Sequence, residues 1–247
     1  QILVDASIHG EYTSNVPLWQ WMADYAQRKG LGMHVHVSET QSEHEGSLTR
    51  WGLTPFRILD RYGVWDTRAI AAHCVWTTED DWAGMAEKGV ACVHNPVSNL
   101  KLGSGVAWIP AMKAAGVPIA LGTDGVSSNN NQDMFEEMKF AAVLHNGVTR
   151  DPLALLPQDV LAMATREGAK ALGRQTGRIA PGYVADLILV DFTRPHLTPC
   201  HSVMDNLVYS AHGSDVVMNM ARGKVIYKDG DFLTIDLERV RREVADY

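Results

Sequence analysis

Imidazoles and carboxylates recur at the ends of β-rich runs in this chain: His9 after ILVDASI, His34, His36 and Glu39 in HVHVSE, His73 in AAHC, His94 in VHN, and Asp124 in GTDG. Imidazole nitrogen and carboxylate oxygen are borderline-hard donors, a set that suits zinc or another divalent first-row metal. Such a site is catalytic when one coordination position stays open to water, and a carboxylate standing over it can carry protons. Glu39, three residues beyond His36, is placed for that task. His34 and His36 are read as facing opposite sides of their strand, so that only one of them is a ligand. Taken singly, each residue has a plainer explanation. A histidine at a strand end is usually a hydrogen-bonded structural residue, and GTDG is a turn in which Asp124 caps the next segment. Jointly, polar groups at four successive strand ends call for a function.

The elements that must position these groups alternate. Strands are expected over residues 2–8, 32–38, 69–75, 90–94 and 117–123, with helices over 17–29, 79–88, 132–145 and 157–172. That alternation is the signature of βα units and a parallel sheet, whose functional side chains gather on the loops at the C-terminal strand ends. Beyond Gly177 the texture changes to glycine-punctuated strands at 185–191 and 216–230, with Arg222-Gly223 as a hairpin turn, and then to a solvated helix over 236–246 capped by Asp236. Asn129, Asn130 and Asn131 read as a polar loop and not as a substrate clamp. SNLKLGSG reads as a βα loop lining the pocket, with Lys101 near the substrate at most. Cys74, Trp19, Trp21 and Met22 read as core material.

Composition sets the outer limits. In 247 residues, 46% are apolar and 21% charged, enough for a large core. The formal net charge of −7 argues against a basic nucleic-acid-binding surface. No apolar run approaches the roughly 20 residues that span a bilayer, and no secretory leader pattern opens the chain. The 3 cysteines, Cys74, Cys92 and Cys200, have no CxxC spacing, so a soluble protein of the reducing cytoplasm is expected.

The segments HVSET (36–40), AAHCVW (71–76), HNPVSNLKLGSG (94–105) and LGTDGVSSNNNQDMFEEM (121–138) resemble the amidohydrolase superfamily, and within it the 5′-methylthioadenosine/S-adenosylhomocysteine deaminases and their chlorohydrolase-like relatives. GRIAPGYVADLILVD (177–191) and ARGKVIYKDGDF (221–232) resemble that family's C-terminal β segment. The resemblance implies an α/β fold: a (β/α)8 TIM barrel of the metal-dependent hydrolase type, of which strands four to eight are present, with a small C-terminal β-sandwich segment. Residues 1–180 would be the second part of the barrel, 181–235 the β-sandwich segment, and 236–247 a terminal helix.

It also implies roles. His36 and Asp124 would be metal ligands, Glu39 the acid that protonates the ring nitrogen, and His73 a hydrogen-bonding partner of the attacking oxygen. His9 would contact substrate, and Asp124 would take the proton of the attacking water. The implied cofactor is one divalent metal, Zn2+ first, with Fe2+ or Ni2+ as alternatives. The implied partner is a purine nucleoside, with assembly into homo-oligomers but no nucleic acid or membrane. Hydrolytic deamination of S-adenosylhomocysteine or 5′-methylthioadenosine is the expected activity. The rivals are deamination of guanine, attack on a triazine ring, and a catalytically silent scaffold.

The chain departs from the family at one point. The HxH pair that the family carries on its first barrel strand, and its upstream Glu and Arg substrate contacts, have no counterpart before His9. Because five strands cannot close an eight-stranded barrel, and because the chain begins with Gln1, a longer protein of about 400 residues or more is expected, with a poorly folding truncation as the alternative.

Overall fold

The computed structural model describes residues 2–245 and contains two sheets. The elements run, in order, β1 (Ala6–Ser7), α1 (Val16–Lys29), β2 (Met33–Val37), α2 (Gln41–Trp51), α3 (Pro55–Arg61), β3 (Ala69–His73), α4 (Glu79–Lys88), β4 (Ala91–His94), α5 (Pro96–Lys101), α6 (Ile109–Ala114), β5 (Ile119–Leu121), α7 (Val126–Asn129), α8 (Met134–Thr149), α9 (Pro157–Ala162), α10 (Gly168–Ala171), β6 (Leu187–Val190), α11 (Val203–Tyr209), β7 (Val216–Ala221), β8 (Lys224–Lys228), β9 (Asp231–Phe232) and α12 (Leu237–Ala245). Strands β1 to β5 are parallel and lie in sequence order, each hydrogen-bonded to the next. Helices pack against this sheet as they do in part of a TIM barrel. Strands β6 to β9 form one antiparallel sheet.

Local chemistry explains the element ends. Side chains of Asn15, Thr40, Thr54 and Thr78 accept backbone N–H groups at the starts of α1 to α4, and Thr78 and Asp81 complete a reciprocal capping box. Gly30, Gly52 and Gly89 close α1, α2 and α4 in the left-handed conformation that a Cβ disfavours. The expected strand over 2–8 shortens to β1, an edge strand whose preceding Ile2, Leu3 and Val4 are exposed. The expected helix over 157–172 is interrupted by a π-helical turn at Met163–Glu167. Gly177 packs against that turn so closely that a Cβ there would sit 2.7 Å from the Thr165 carbonyl oxygen. The terminal helix ends at Ala245 among the described residues, so the last part of the expected span lies outside them, as does Gln1.

Alternation divides the parallel sheet into two faces. Met33, Val35, Val37, Ala69, Ala71, Cys92, Ile119 and Leu121 join Trp19, Phe56 and Trp65 in the main core under the helices. Ile70, Ala91 and Ala120 form a smaller cluster on the other face with Val93 and Ala171. His34 and His36 alternate with Val35 and Val37 and therefore share this inner face, with ring centroids 6.3 Å apart. The expectation that they point opposite ways is wrong, since residues two apart on a strand lie on one side. Among the described residues, no helix is long and apolar enough to cross a membrane.

Candidate functional site

His36, near the end of β2, is oriented by the backbone of the loop after β1. His9 contributes its carbonyl oxygen, which accepts the His36 backbone N–H at 3.0 Å and the His36 Nδ1 at 2.6 Å. A carbonyl only accepts, so Nδ1 carries the proton and the His36 lone pair is on Nε2. The His9 ring itself is exposed, 2.8 Å from Thr13 Oγ1 through Nδ1 and 4.9 Å from the His36 ring centroid.

His73 reaches the same place by a different route. Its strand parity is that of Ala69 and Ala71, which point into the helix layer, yet its ring stacks on His36 with centroids 5.3 Å apart. Positive φ angles of 72° at His73 and 52° at Cys74 turn the chain there. Non-glycine residues rarely adopt such values and do so at sites that the surrounding structure holds fast. Asn99 Oδ1 accepts the His73 Nδ1 proton at 2.8 Å, and Asn95 Nδ2 lies 3.4 Å from the same nitrogen. His73 Nε2 is therefore the free lone pair, 3.8 Å from Glu39 Oε2. Burial, opposed by Glu39 and Asn99, holds the buried His73 below the usual histidine range, so it is neutral at pH 7.

Asp124 follows β5 with φ 61°. Its Oδ2 accepts from Ser98 Oγ at 2.6 Å and its Oδ1 from the Gly125 N–H at 2.7 Å. Partial burial alone would raise its pKa, but the hydrogen bonds from Ser98 and Gly125 outweigh it and the carboxylate is held below its ordinary value. One nitrogen from each of His36 and His73 and one oxygen from Asp124 lie within 4.8 Å of one another. Two imidazoles with their Nδ1 atoms engaged and one ionised carboxylate fit a divalent cation of the zinc type. Glu39 stands beside them, its Oε1 accepting from Ser104 Oγ at 3.3 Å.

Three expectations about the rim need correction. His94 shares the outward parity of Cys92 and is buried against α8, its Nε2 3.1 Å from the His145 Nε2. Burial and the neighbouring His145 hold His94 well below the usual range, and burial brings His145 to about 4. Lys101 does not line a pocket as a free side chain. It lies on α5, within what was expected to be a loop, and donates to the Ser127 carbonyl at 3.0 Å and to Asn130 Oδ1. Asn129 is not part of a loose loop either: it is buried, and its Nδ2 donates to the Thr123 carbonyl at 2.6 Å and to Glu137 Oε1.

Glu137 Oε2 also accepts the Val97 N–H at 3.3 Å, so this buried carboxyl ties the helix that carries Ser98 to the loop that carries Asp124. Burial pushes it up to about 7. Sequence reading missed Ser98, Asn99, Ser104 and Glu137. A local signal exists for Ser98 and Asn99 alone, which follow His94 by about one helical turn; Ser104 and Glu137 lie farther along the chain.

Residues 2–226 match the family described as the amidohydrolase family. A 5-methylthioadenosine/S-adenosylhomocysteine deaminase of Dictyoglomus thermophilum is 44% identical over 95% of this chain and 55% of its own length. A 5'-deoxyadenosine deaminase of Methanosarcina mazei is 44% identical over 96% of this chain and 56% of its own. Among solved structures, an adenosine deaminase from Xanthomonas campestris with bound zinc superposes with a TM-score of 0.94 at 35% identity, covering 97% of this chain and 55% of that one. The chain thus spans about half the length of the curated relatives it matches.

Proposed function

The chain belongs to the amidohydrolase family, and from that premise we propose that it supplies the proton-transfer groups and part of the metal site of a hydrolytic deaminase acting on an adenine-type nucleoside. The observation that carries this reading is the meeting of His36, His73 and Asp124 within 4.8 Å, with Glu39 alongside. The names of the relatives favour methylthioadenosine, S-adenosylhomocysteine or deoxyadenosine as substrate. Zinc is the metal we propose, which His36 and Asp124 would hold with His73 in reach; a bound divalent cation would lower the pKa of water toward neutrality.

The chain's own residues do the remaining work. Asp124, kept ionised by Ser98 and Gly125, takes one proton from the attacking water as its oxygen bonds to C6 of the purine. Glu39 gives a proton to N1. His73 is neutral with its lone pair on Nε2, so it accepts a hydrogen bond from the hydroxyl of the tetrahedral carbon and holds its orientation. The C6–N bond then breaks, ammonia leaves with the proton held on Asp124, and the hydroxyl proton returns to Glu39 as C6=O forms. The exposed His9 ring, at the edge of this cluster, is assigned to substrate contact.

We further propose a cytoplasmic location, supported by three free cysteines of which Cys74 and Cys92 are buried. The test is to measure zinc content and ammonia release from methylthioadenosine, S-adenosylhomocysteine, 5′-deoxyadenosine, adenosine and guanine. Release from the adenine nucleosides with about one metal per chain is expected; metal binding with guanine as the sole substrate would overturn the substrate assignment.

A further inference from the structure

Between β2 and α2 the chain passes through Ser38 and Glu39 in a turn that is unusual for its residue types. Ser38 has φ 48°, in the left-handed region, and its side chain is fully buried. Successive backbone N–H groups in such a turn form a small concavity that binds an anion. Here the anion belongs to the chain: Glu43 Oε1 accepts the Ser38 N–H at 2.8 Å and Oε2 accepts the Glu39 N–H at 2.7 Å. Each carboxylate oxygen holds one amide, and Glu43 is itself buried. Placing a carboxylate out of water is costly unless hydrogen bonds replace those lost; these two bonds offset part of that cost, and burial still holds the Glu43 carboxyl above its ordinary range.

Glu43 also lies in the first turn of α2, where a carboxylate favours a helix start, and its own N–H donates to Thr40 Oγ1 at 3.2 Å. A simple capping residue would turn back to the N-cap amide. Glu43 faces the Thr40 amide as well, but its two short hydrogen bonds go to the two residues before it, the second of which is Glu39.

We propose that Glu43 is a positioning residue for proton transfer, its carboxylate clamping the Ser38–Glu39 turn so that the Glu39 side chain is aimed at the His36, His73 and Asp124 cluster. This rests on the reading of Glu39 as proton donor. The buried end of β2 is also held by the Trp76 N–H on the Ser38 carbonyl at 2.9 Å and by Ser38 Oγ beside His44 Nδ1 at 3.2 Å, but among the described residues the clamp is what holds the Glu39 amide. Ser104 Oγ on Glu39 Oε1, at 3.3 Å, is the only side-chain hydrogen bond to the Glu39 carboxyl among the described residues, so the aim of the carboxyl depends on its backbone. Loss of aim by an ångström is enough to slow a proton transfer about 100-fold.

The test compares Glu43→Gln, which keeps the shape and one acceptor oxygen, and Glu43→Ala with Thr40→Val, which removes the cap of the same helix and leaves the clamp intact. Hydrogen exchange at the Ser38 and Glu39 amides is read first, because it needs no activity. Exchange about tenfold faster in Glu43→Gln, and faster again in Glu43→Ala, is expected. With the nucleoside substrate, kcat falls about 10- to 100-fold in Glu43→Gln, with KM and zinc content unchanged. Thr40→Val lowers Tm while kcat stays within about twofold. Unchanged amide exchange in both Glu43 variants overturns the clamp. Faster exchange with kcat intact, or an equal kcat loss in Thr40→Val, overturns the positioning role. A wild-type protein that binds zinc but releases no ammonia sinks the deaminase reading instead, and the amide exchange still decides the clamp.

Discussion

At the C-terminal rim of the parallel sheet Glu43, His73, Asn95, Ser98, Asn99, Asn129 and Glu137 are all buried, while in the antiparallel sheet no strand residue is fully buried and Lys224, Lys228 and Asp231 are exposed. Burying a polar group costs about 1 to 3 kcal/mol when a partner is lost, so a fold that buries seven at one rim is fixing side chains there. The antiparallel sheet does no such work. Next to it lies a largely apolar surface concavity of about 890 Å³, lined in part by Phe135, Ile188, Ile226 and Phe232, and His36, His73 and Asp124 do not line it. The parallel sheet thus carries both the main core and the chemistry, and the antiparallel sheet neither.

The contrast can be broken most severely at Glu39. Glu39→Gln is expected to lower kcat by about 10² to 10⁴ with zinc content unchanged, measured by ammonia release and metal analysis. Turnover at the wild-type rate would remove Glu39 from the mechanism. A smaller effect is expected one contact away. Asn99→Ala removes the acceptor that fixes the His73 tautomer, and metal affinity or activity should fall about 10- to 100-fold while the protein stays folded. If zinc titration and kcat are both unmoved, the tautomer argument fails.

The third test concerns pH. The folded-state pKa of Glu137 is raised from 4.5 to about 7, so it contributes stability below pH 4.5 that is lost as pH rises through about 7. His145 is lowered from 6.5 to about 4, so its contribution is present above pH 6.5 and lost as pH falls to about 4. The two oppose each other over most of the same window. Glu137→Gln removes one side, and its urea midpoint should climb more steeply between pH 4.5 and 6.5 than that of the wild type. Parallel profiles would show that Glu137 ionises normally. Least of all should follow from Leu189→Thr in β6, a 55% exposed position, where stability should change by about 0.5 kcal/mol or less and kcat should not change. A large kcat loss there would erase the distinction between the two sheets.

Range decides how much of the molecule the sequence made legible. The helix over 79–88 emerges as read, because its Thr78 cap and Gly89 stop are local signals, and Arg222-Gly223 forms the β7–β8 turn with positive φ at both residues, as its hairpin chemistry requires. His36, His73, Asp124 and Glu39 could be picked out by type and place, and the structure brings them together. His94 could not be excluded from the rim without the parity of β4 and the position of His145, 51 residues away. His73 shows the reverse, since parity alone would send it to the helix layer and only the positive φ at the strand end redirects it. Ser98, Asn99 and Glu137 act through contacts across 26 to 40 residues, which no local pattern reveals.

The order of the parallel strands has a kinetic consequence. Because β1 to β5 are neighbours in space in the same order as in the chain, each strand pairs with the one made just before it. Each pairing nevertheless closes a crossover of 21 to 36 residues through helices, the kind of parallel pairing that forms slowly. Growth in the direction of synthesis delivers His36 first, His73 second and Asp124 last. Synthesis therefore presents the two imidazoles before the carboxylate, and the constellation forms once the sheet that carries all three has paired.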